Sequence, residues 1–181
     1  MSSNSLINDQ QILKIKKLIK TKNYEEAIEK LEVLKNSDNP EIYFLLGSLY
    51  LNKNEFIKAD QSLRQSIKLD DKNPRSFHNL GILNLLQNNL DEAKSFFKLA
   101  YSKDSNYLNS LVELGKIYEN ENNFTEAKNC YLKALKVDDK NYTVNFRIAT
   151  LLHNNFFFKE SSDYYKKSIG LIKISGSKLE I

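Results

Sequence analysis

With a single cysteine, Cys130, the chain can form no disulfide within itself, and zinc sites built from several cysteines are excluded. Glycine numbers only five. That leaves little material for a phosphate-cradling loop, and neither that motif nor a nucleophile elbow nor a paired-carboxylate pattern is present. No apolar run approaches the ~18 residues needed to cross a bilayer. Met1 to Gln11 is polar and lacks the basic segment and continuous apolar stretch of a secretory signal. Charge is nearly balanced, with 27 basic against 23 acidic side chains for a net +4, and acids are interspersed with lysines everywhere after residue 24. A nucleic-acid partner would need basic residues gathered on one face, so none is expected. These absences point to a soluble, folded, non-catalytic protein of a reducing compartment, with the cytoplasm as the expected location and no cofactor or metal.

What the chain does have is a period. Gly47, Gly81 and Gly115 stand 34 residues apart, and each is followed twelve residues later by an alanine, Ala59, Ala93 and Ala127. The two prolines, Pro40 and Pro74, repeat the same interval at positions that suit the first turn of a helix, where a missing amide donor costs nothing. Each copy carries two apolar patterns of helical spacing, such as Tyr43, Leu46, Leu49 and Tyr50, then Ala59, Leu63, Ser66 and Ile67. The polar stretch Asn52 to Asn54 separates them. The unit is therefore a helical hairpin. A glycine on one helix and an alanine on the other let the backbones approach, and large flanking residues fill the space beside the crossing. A bulky replacement at Gly81 or Ala93 is expected to overpack it. One hairpin cannot bury both faces, so neighbours must stack.

The frame around each glycine and alanine resembles the tetratricopeptide repeat. It has an aromatic or leucine at Tyr43, Phe77 and Leu111, and a leucine at Leu46, Leu80 and Leu114. It continues with a bulky apolar residue at Phe56, Leu90 and Phe124, then Leu63, Phe97 and Tyr131, then a small residue at Ser66, Ala100 and Ala134. The resemblance implies an all-α, right-handed superhelical solenoid of antiparallel helix pairs that presents a concave groove to a protein or peptide. The organisation read from it is a flexible N-terminus (1–11), a degenerate hairpin (12–37), three clear repeats (40–73, 74–107 and 108–141), a divergent fourth (142–175) and a tail (176–181). In the degenerate hairpin Ile15 stands at the glycine position, and Ala27 precedes Ala59 by 32 rather than 34. In the fourth repeat Ile148, Ala149 and Ser161 replace leucine, glycine and alanine.

The family's groove positions lie three before the glycine and one, four and five after it. They fall on Phe44, Ser48, Leu51 and Asn52; His78, Ile82, Leu85 and Leu86; Val112, Lys116, Glu119 and Asn120; and Phe146, Thr150, His153 and Asn154. This mixture suits a peptide or helix with a few apolar anchors. The carboxylate clamp by which some members hold chaperone tails needs lysine and asparagine where this chain has Phe44, His78, Val112 or Phe146 and Ser48, Ile82, Lys116 or Thr150, so that ligand is not expected. Arg75, Lys116 and Arg147 are expected to be solvated or paired with carboxylates such as Glu113 and Glu119. His78 and His153 fall two repeats apart, too far to share a metal or a proton relay. Cys130, on a second helix beside Tyr131, reads as a buried, inert thiol.

Two stretches stand outside this frame. Ile12 to Lys22 carries five lysines and no acid, a pattern shared by targeting or membrane-surface helices and by the solvated face of a first helix. Phe156, Phe157 and Phe158 fall where the family has a glycine-containing turn, and read either as packing beneath that turn or as a surface for a partner, a further repeat or a second copy of the chain. Leu171, Ile172 and Ile174 leave the end without a polar cap. The principal expectation is an interaction scaffold. The alternative is a substrate-presenting module, or a remnant, of a larger enzyme such as a sulfotransferase or glycosyltransferase.

Overall fold

The computed structural model describes residues 3–35 and 38–176, with side chains described for 10–35 and 38–170. Among the described residues it is all-α: α1 (Ser3–Lys20), α2 (Tyr24–Val33), α3 (Pro40–Asn52), α4 (Phe56–Leu69), α5 (Pro74–Leu86), α6 (Leu90–Lys103), α7 (Leu108–Asn120), α8 (Phe124–Val137), α9 (Tyr142–Asn154) and α10 (Phe158–Gly176). The chain forms two compact units, residues 1–96 and 97–181, with α6 beginning in the first and ending in the second. In unit 1, α1 packs on α2, α2 on α3, α3 on α4, and α4 on α5. In unit 2, α7 packs on α8, α8 on α9, and α9 on α10.

Local chemistry explains the boundaries. The side chains of Asn39 and Asn73 accept from the amides of Glu41 at 2.9 Å and Arg75 at 3.0 Å, so each caps a helix whose first residue is a proline. Asn123 and Asn141 cap α8 and α9 in the same way, through the amides of Glu126 and Val144. The first helix of every pair ends at a left-handed residue: Lys22, Asn54, Asn88, Asn122 and Phe156, with φ between 56° and 66°. The next amide reaches back to close the turn, as from Glu55 to the Tyr50 carbonyl at 2.9 Å and from Phe157 to that of Leu152 at 2.9 Å. Asparagine tolerates this conformation and phenylalanine does not, so Phe156 holds a strained backbone in a turn otherwise like the rest.

α1 starts at Ser3 and so takes in most of residues 1–11, which were expected to form a flexible N-terminus. That stretch contains no proline or glycine, and extending a formed helix costs far less than nucleating one. The side chains of Leu171, Ile172 and Ile174 lie outside the described residues, as do residues 177–181.

In two pairs, α3 with α4 and α7 with α8, the space beside the glycine is filled from the opposite helix. A Cβ on Gly47 would lie 2.6 Å from Leu63 Cγ, and one on Gly115 would lie 2.7 Å from Tyr131 Cζ. Ala59 and Ala127 are fully buried nearby, but it is the large residue four further on that covers the glycine. Two small polar residues at pattern positions are satisfied locally. Ser66 donates to the Pro40 carbonyl or shares its hydroxyl with Ser76, each at 2.9 Å, tying α4 to the starts of α3 and α5. Ser161, in the alanine position, donates to the Ala149 carbonyl at 2.9 Å. Gly170, by contrast, has nothing within 4 Å of where a Cβ would stand. Gly115→Ala is therefore expected to lower stability in urea denaturation by about 1–3 kcal/mol, because fully buried Tyr131 has nowhere to go. Gly170→Ala should raise it by about 0.5–1 kcal/mol through helix propensity alone. A gain at both sites would mean that the pair does not depend on close approach.

Candidate functional site

The expected ligand-facing residues lie on the first helix of each pair, because the second face of that helix is spent on the core. In unit 1, Leu51 is only 9% exposed and belongs to the core, so it has little surface to offer. Phe44 is half-buried, and the Arg75 guanidinium lies 4.2 Å from its ring centroid. Ser48 donates to the Phe44 carbonyl and accepts from Asn79, both at 2.8 Å. Asn52 is exposed and His78 half-buried. The apolar surface left on this face comes from half-buried Ile82 and Leu85 and from exposed Leu86 on α5.

In unit 2 four of the eight expected residues meet around a cleft of about 450 Å³. Glu119, Phe146, Thr150 and Asn154 line it, joined by Arg147, Asn122, Phe124, Thr143, Leu151 and Asn155. Phe146, 53% exposed, leans edge-on to Tyr165 with ring centroids 5.6 Å apart. Thr150 donates to the Phe146 carbonyl at 3.0 Å, with its hydroxyl 3.3 Å from that of Tyr165. Arg147 Nη1 lies 3.5 Å from Glu119, while its Nε is buried with no hydrogen-bond partner among the described residues. His153 sits outside the cleft, edge-on to Phe158 at 5.3 Å. Val112 is half-buried against the core, Lys116 pairs with Glu113 at 2.6 Å, and Asn120 is exposed. Offsets along a single helix pick out Phe146, Thr150 and Asn154. They miss Asn122 and Phe124, which enter from the preceding turn and from the start of α8.

The electrostatics are those of paired charges. Arg75 and Lys16 both bind Glu41, the latter at 2.7 Å. Burial alone would raise the Glu41 carboxyl, but hydrogen bonds from Lys16 and Arg75 outweigh it and hold the group below its ordinary value. Burial pushes the Cys130 thiol up to about 11, leaving it protonated and unreactive at neutral pH. Burial, then the Glu119 carboxylate, push the Tyr131 phenol upward too. Among the described residues no three histidine, cysteine or acidic side chains gather where they could hold a metal ion, and no helix is long and apolar enough to cross a membrane.

The exposed aromatic turn is partly anchored. Phe157 stacks on Phe124 with centroids 5.4 Å apart and planes 6° from parallel, and Lys128 lies over both rings. Phe158 packs on His153, whereas Phe156 stands 81% exposed.

Three consecutive stretches, residues 40–73, 74–107 and 108–141, match the family model described as tetratricopeptide repeat. No curated protein matches the chain. Among solved structures, PilF of Pseudomonas aeruginosa is 20% identical with a TM-score of 0.84, over 93% of this chain and 78% of that one. A crystal structure of MamA is 20% identical at a TM-score of 0.76, over 89% and 95% of the two chains. MamA from Desulfovibrio magneticus RS-1 is 14% identical at 0.73, over 91% and 94%. At these identities the likeness is one of fold.

Glu41 provides a test of the charge arrangement. A carboxyl depressed in the folded state binds fewer protons folded than unfolded, so its contribution is complete above the ordinary value of 4.5 and is lost as pH falls through the folded value. The stability difference between the native chain and Glu41→Gln, measured by urea denaturation between neutral pH and strongly acidic conditions, should be constant above that point and shrink below it. A difference independent of pH would show that the ion pairs contribute nothing.

Proposed function

The chain belongs to the tetratricopeptide repeat family, and on that premise we propose that it is a non-catalytic interaction scaffold binding a peptide or helix along the faces of its first helices. The observation that carries this reading is the unit 2 cleft. Its volume lies in the range of ligand sites, about 300–1,000 Å³. It combines an apolar anchor, Phe146, with amide side chains at Asn122, Asn154 and Asn155 that can pair with a peptide backbone. In unit 1 the corresponding anchors are Ile82 and Leu85. A face already folded loses little entropy on binding, so a few apolar anchors deliver useful affinity. The buried, protonated thiol suits a reducing compartment, and the cytoplasm is our proposed location.

Affinity capture from the lysate of the source cell tests this. The intact chain should retain a partner that Ile82→Glu/Leu85→Glu and Phe146→Ser do not, with helicity by circular dichroism unchanged in both variants. Equal recovery by all three would overturn the proposal, and loss of helicity would assign those residues to the core.

A second reading, self-association through Phe156, Phe157 and Phe158, is favoured by the exposure of Phe156 in a strained turn. The Phe156 ring has an edge-on contact with Phe158 at 6.1 Å, which offsets little of the cost of an unfavourable backbone at a mostly exposed residue. Phe156→Asn should stabilise the monomer by about 1 kcal/mol while abolishing any concentration-dependent rise in mass by sedimentation equilibrium. A mass independent of concentration in the native chain would remove this reading.

A further inference from the structure

The N-terminal edge of unit 1 holds an open helix slot. Gln11, Lys14 and Ile15 of α1 and Lys30, Val33 and Leu34 of α2 and its cap line an almost wholly apolar groove of about 320 Å³. Ile15 is buried at its floor and Leu34 half-buried, while Val33 at the mouth is 80% exposed. The repeat itself says what this groove is. Moving forward by 32 residues, the interval from Ala27 to Ala59, takes Lys14 to Leu46, Lys30 to Ser62 and Leu34 to Ser66. All three of those later residues are buried, and Leu46 lies in one core with Ile15, Ala27 and Leu31 of the first pair. At these three positions the second pair is covered, whereas Lys14 and Lys30 of the first are exposed and Leu34 half-buried; the equivalents of Gln11 and Val33, Tyr43 and Gln65, are half-buried.

We propose that this groove receives an amphipathic helix from a partner protein, with an apolar seam lying on Ile15, Val33 and Leu34 and carboxylates on its flanks facing Lys14 and Lys30. The two lysines set the chemistry. Where the second pair has a leucine and a serine, an occupant of the first pair must cover aliphatic stems and leave two ammonium groups satisfied, which acidic flanks accomplish. Lys30 already touches Glu26 at 3.4 Å, but both side chains are half-exposed and such intrahelical surface pairs are weak, so an incoming carboxylate can take it over. The chain's own last helix is the wrong partner. Over residues 158–170 it carries Lys159, Lys166 and Lys167 against Glu160 and Asp163, which would set lysine against lysine. The groove is distinct from the first-helix faces proposed above and does not depend on them.

Two labelled, stapled amphipathic peptides of about five turns, sharing a leucine seam but flanked by glutamates in one and lysines in the other, test the assignment by fluorescence polarisation. The intact chain should bind the glutamate peptide at least about tenfold more tightly than the lysine peptide. Lys14→Glu/Lys30→Glu should reverse that order, and Ile82→Glu/Leu85→Glu should leave it unchanged. If the double reversal does not fold, Lys14→Gln/Lys30→Gln should abolish the preference instead. Equal binding of the two peptides, binding of neither, or a preference that survives charge reversal would overturn the proposal. So would a concentration-dependent mass lost in Lys14→Glu/Lys30→Glu, which would give the groove to a second copy of the chain. Co-sedimentation with phosphatidylserine vesicles, lost in the same variant and unaccompanied by any peptide preference, would give it to a lipid surface.

Discussion

In two helix pairs of this protein, α3 with α4 and α7 with α8, a side chain from the second helix occupies the space where the first helix would carry a methyl group. Leu63 over Gly47 and Tyr131 over Gly115 bring two backbones closer than any residue with a Cβ permits. The buried alanines, the 34-residue spacing and the shared core all follow from keeping that approach in register.

The first-helix faces differ between the two units although the repeat is the same. In unit 1 the first-helix face is knitted to itself: Arg75 covers Phe44 while binding Glu41, and Ser48 is held between the Phe44 carbonyl and Asn79. Apolar surface survives there mainly on α5. In unit 2 the corresponding face opens into a cleft, with Phe146 propped by Tyr165 and the Arg147 guanidinium only partly satisfied by Glu119. A half-satisfied polar group beside an exposed ring is the combination a peptide backbone with one apolar side chain can complete.

The departures from the repeat are as informative as its copies. Phe156 takes the left-handed position that Asn54, Asn88 and Asn122 hold in the turns before it, at a cost in backbone strain and with its ring in water. Lys14 and Lys30 stand in the register of Leu46 and Ser62, which the second pair buries.

The fold was legible from one dimension because every pair is local. A hairpin of two helices is decided by glycine and alanine spacing, by asparagine caps and by proline at the first turn, all within 34 residues. The groove offsets follow one helix, and three of the positions they pick, Phe146, Thr150 and Asn154, line one cleft. Depth and company were not legible. Whether Leu51 belongs to the core or to the surface, whether Phe44 is free or lies under Arg75, and whether Asn122 and Phe124 reach the cleft depend on side chains from neighbouring helices. Spacing along a helix specifies direction, but exposure is set by what packs across from it, and that is determined only when the pairs come together.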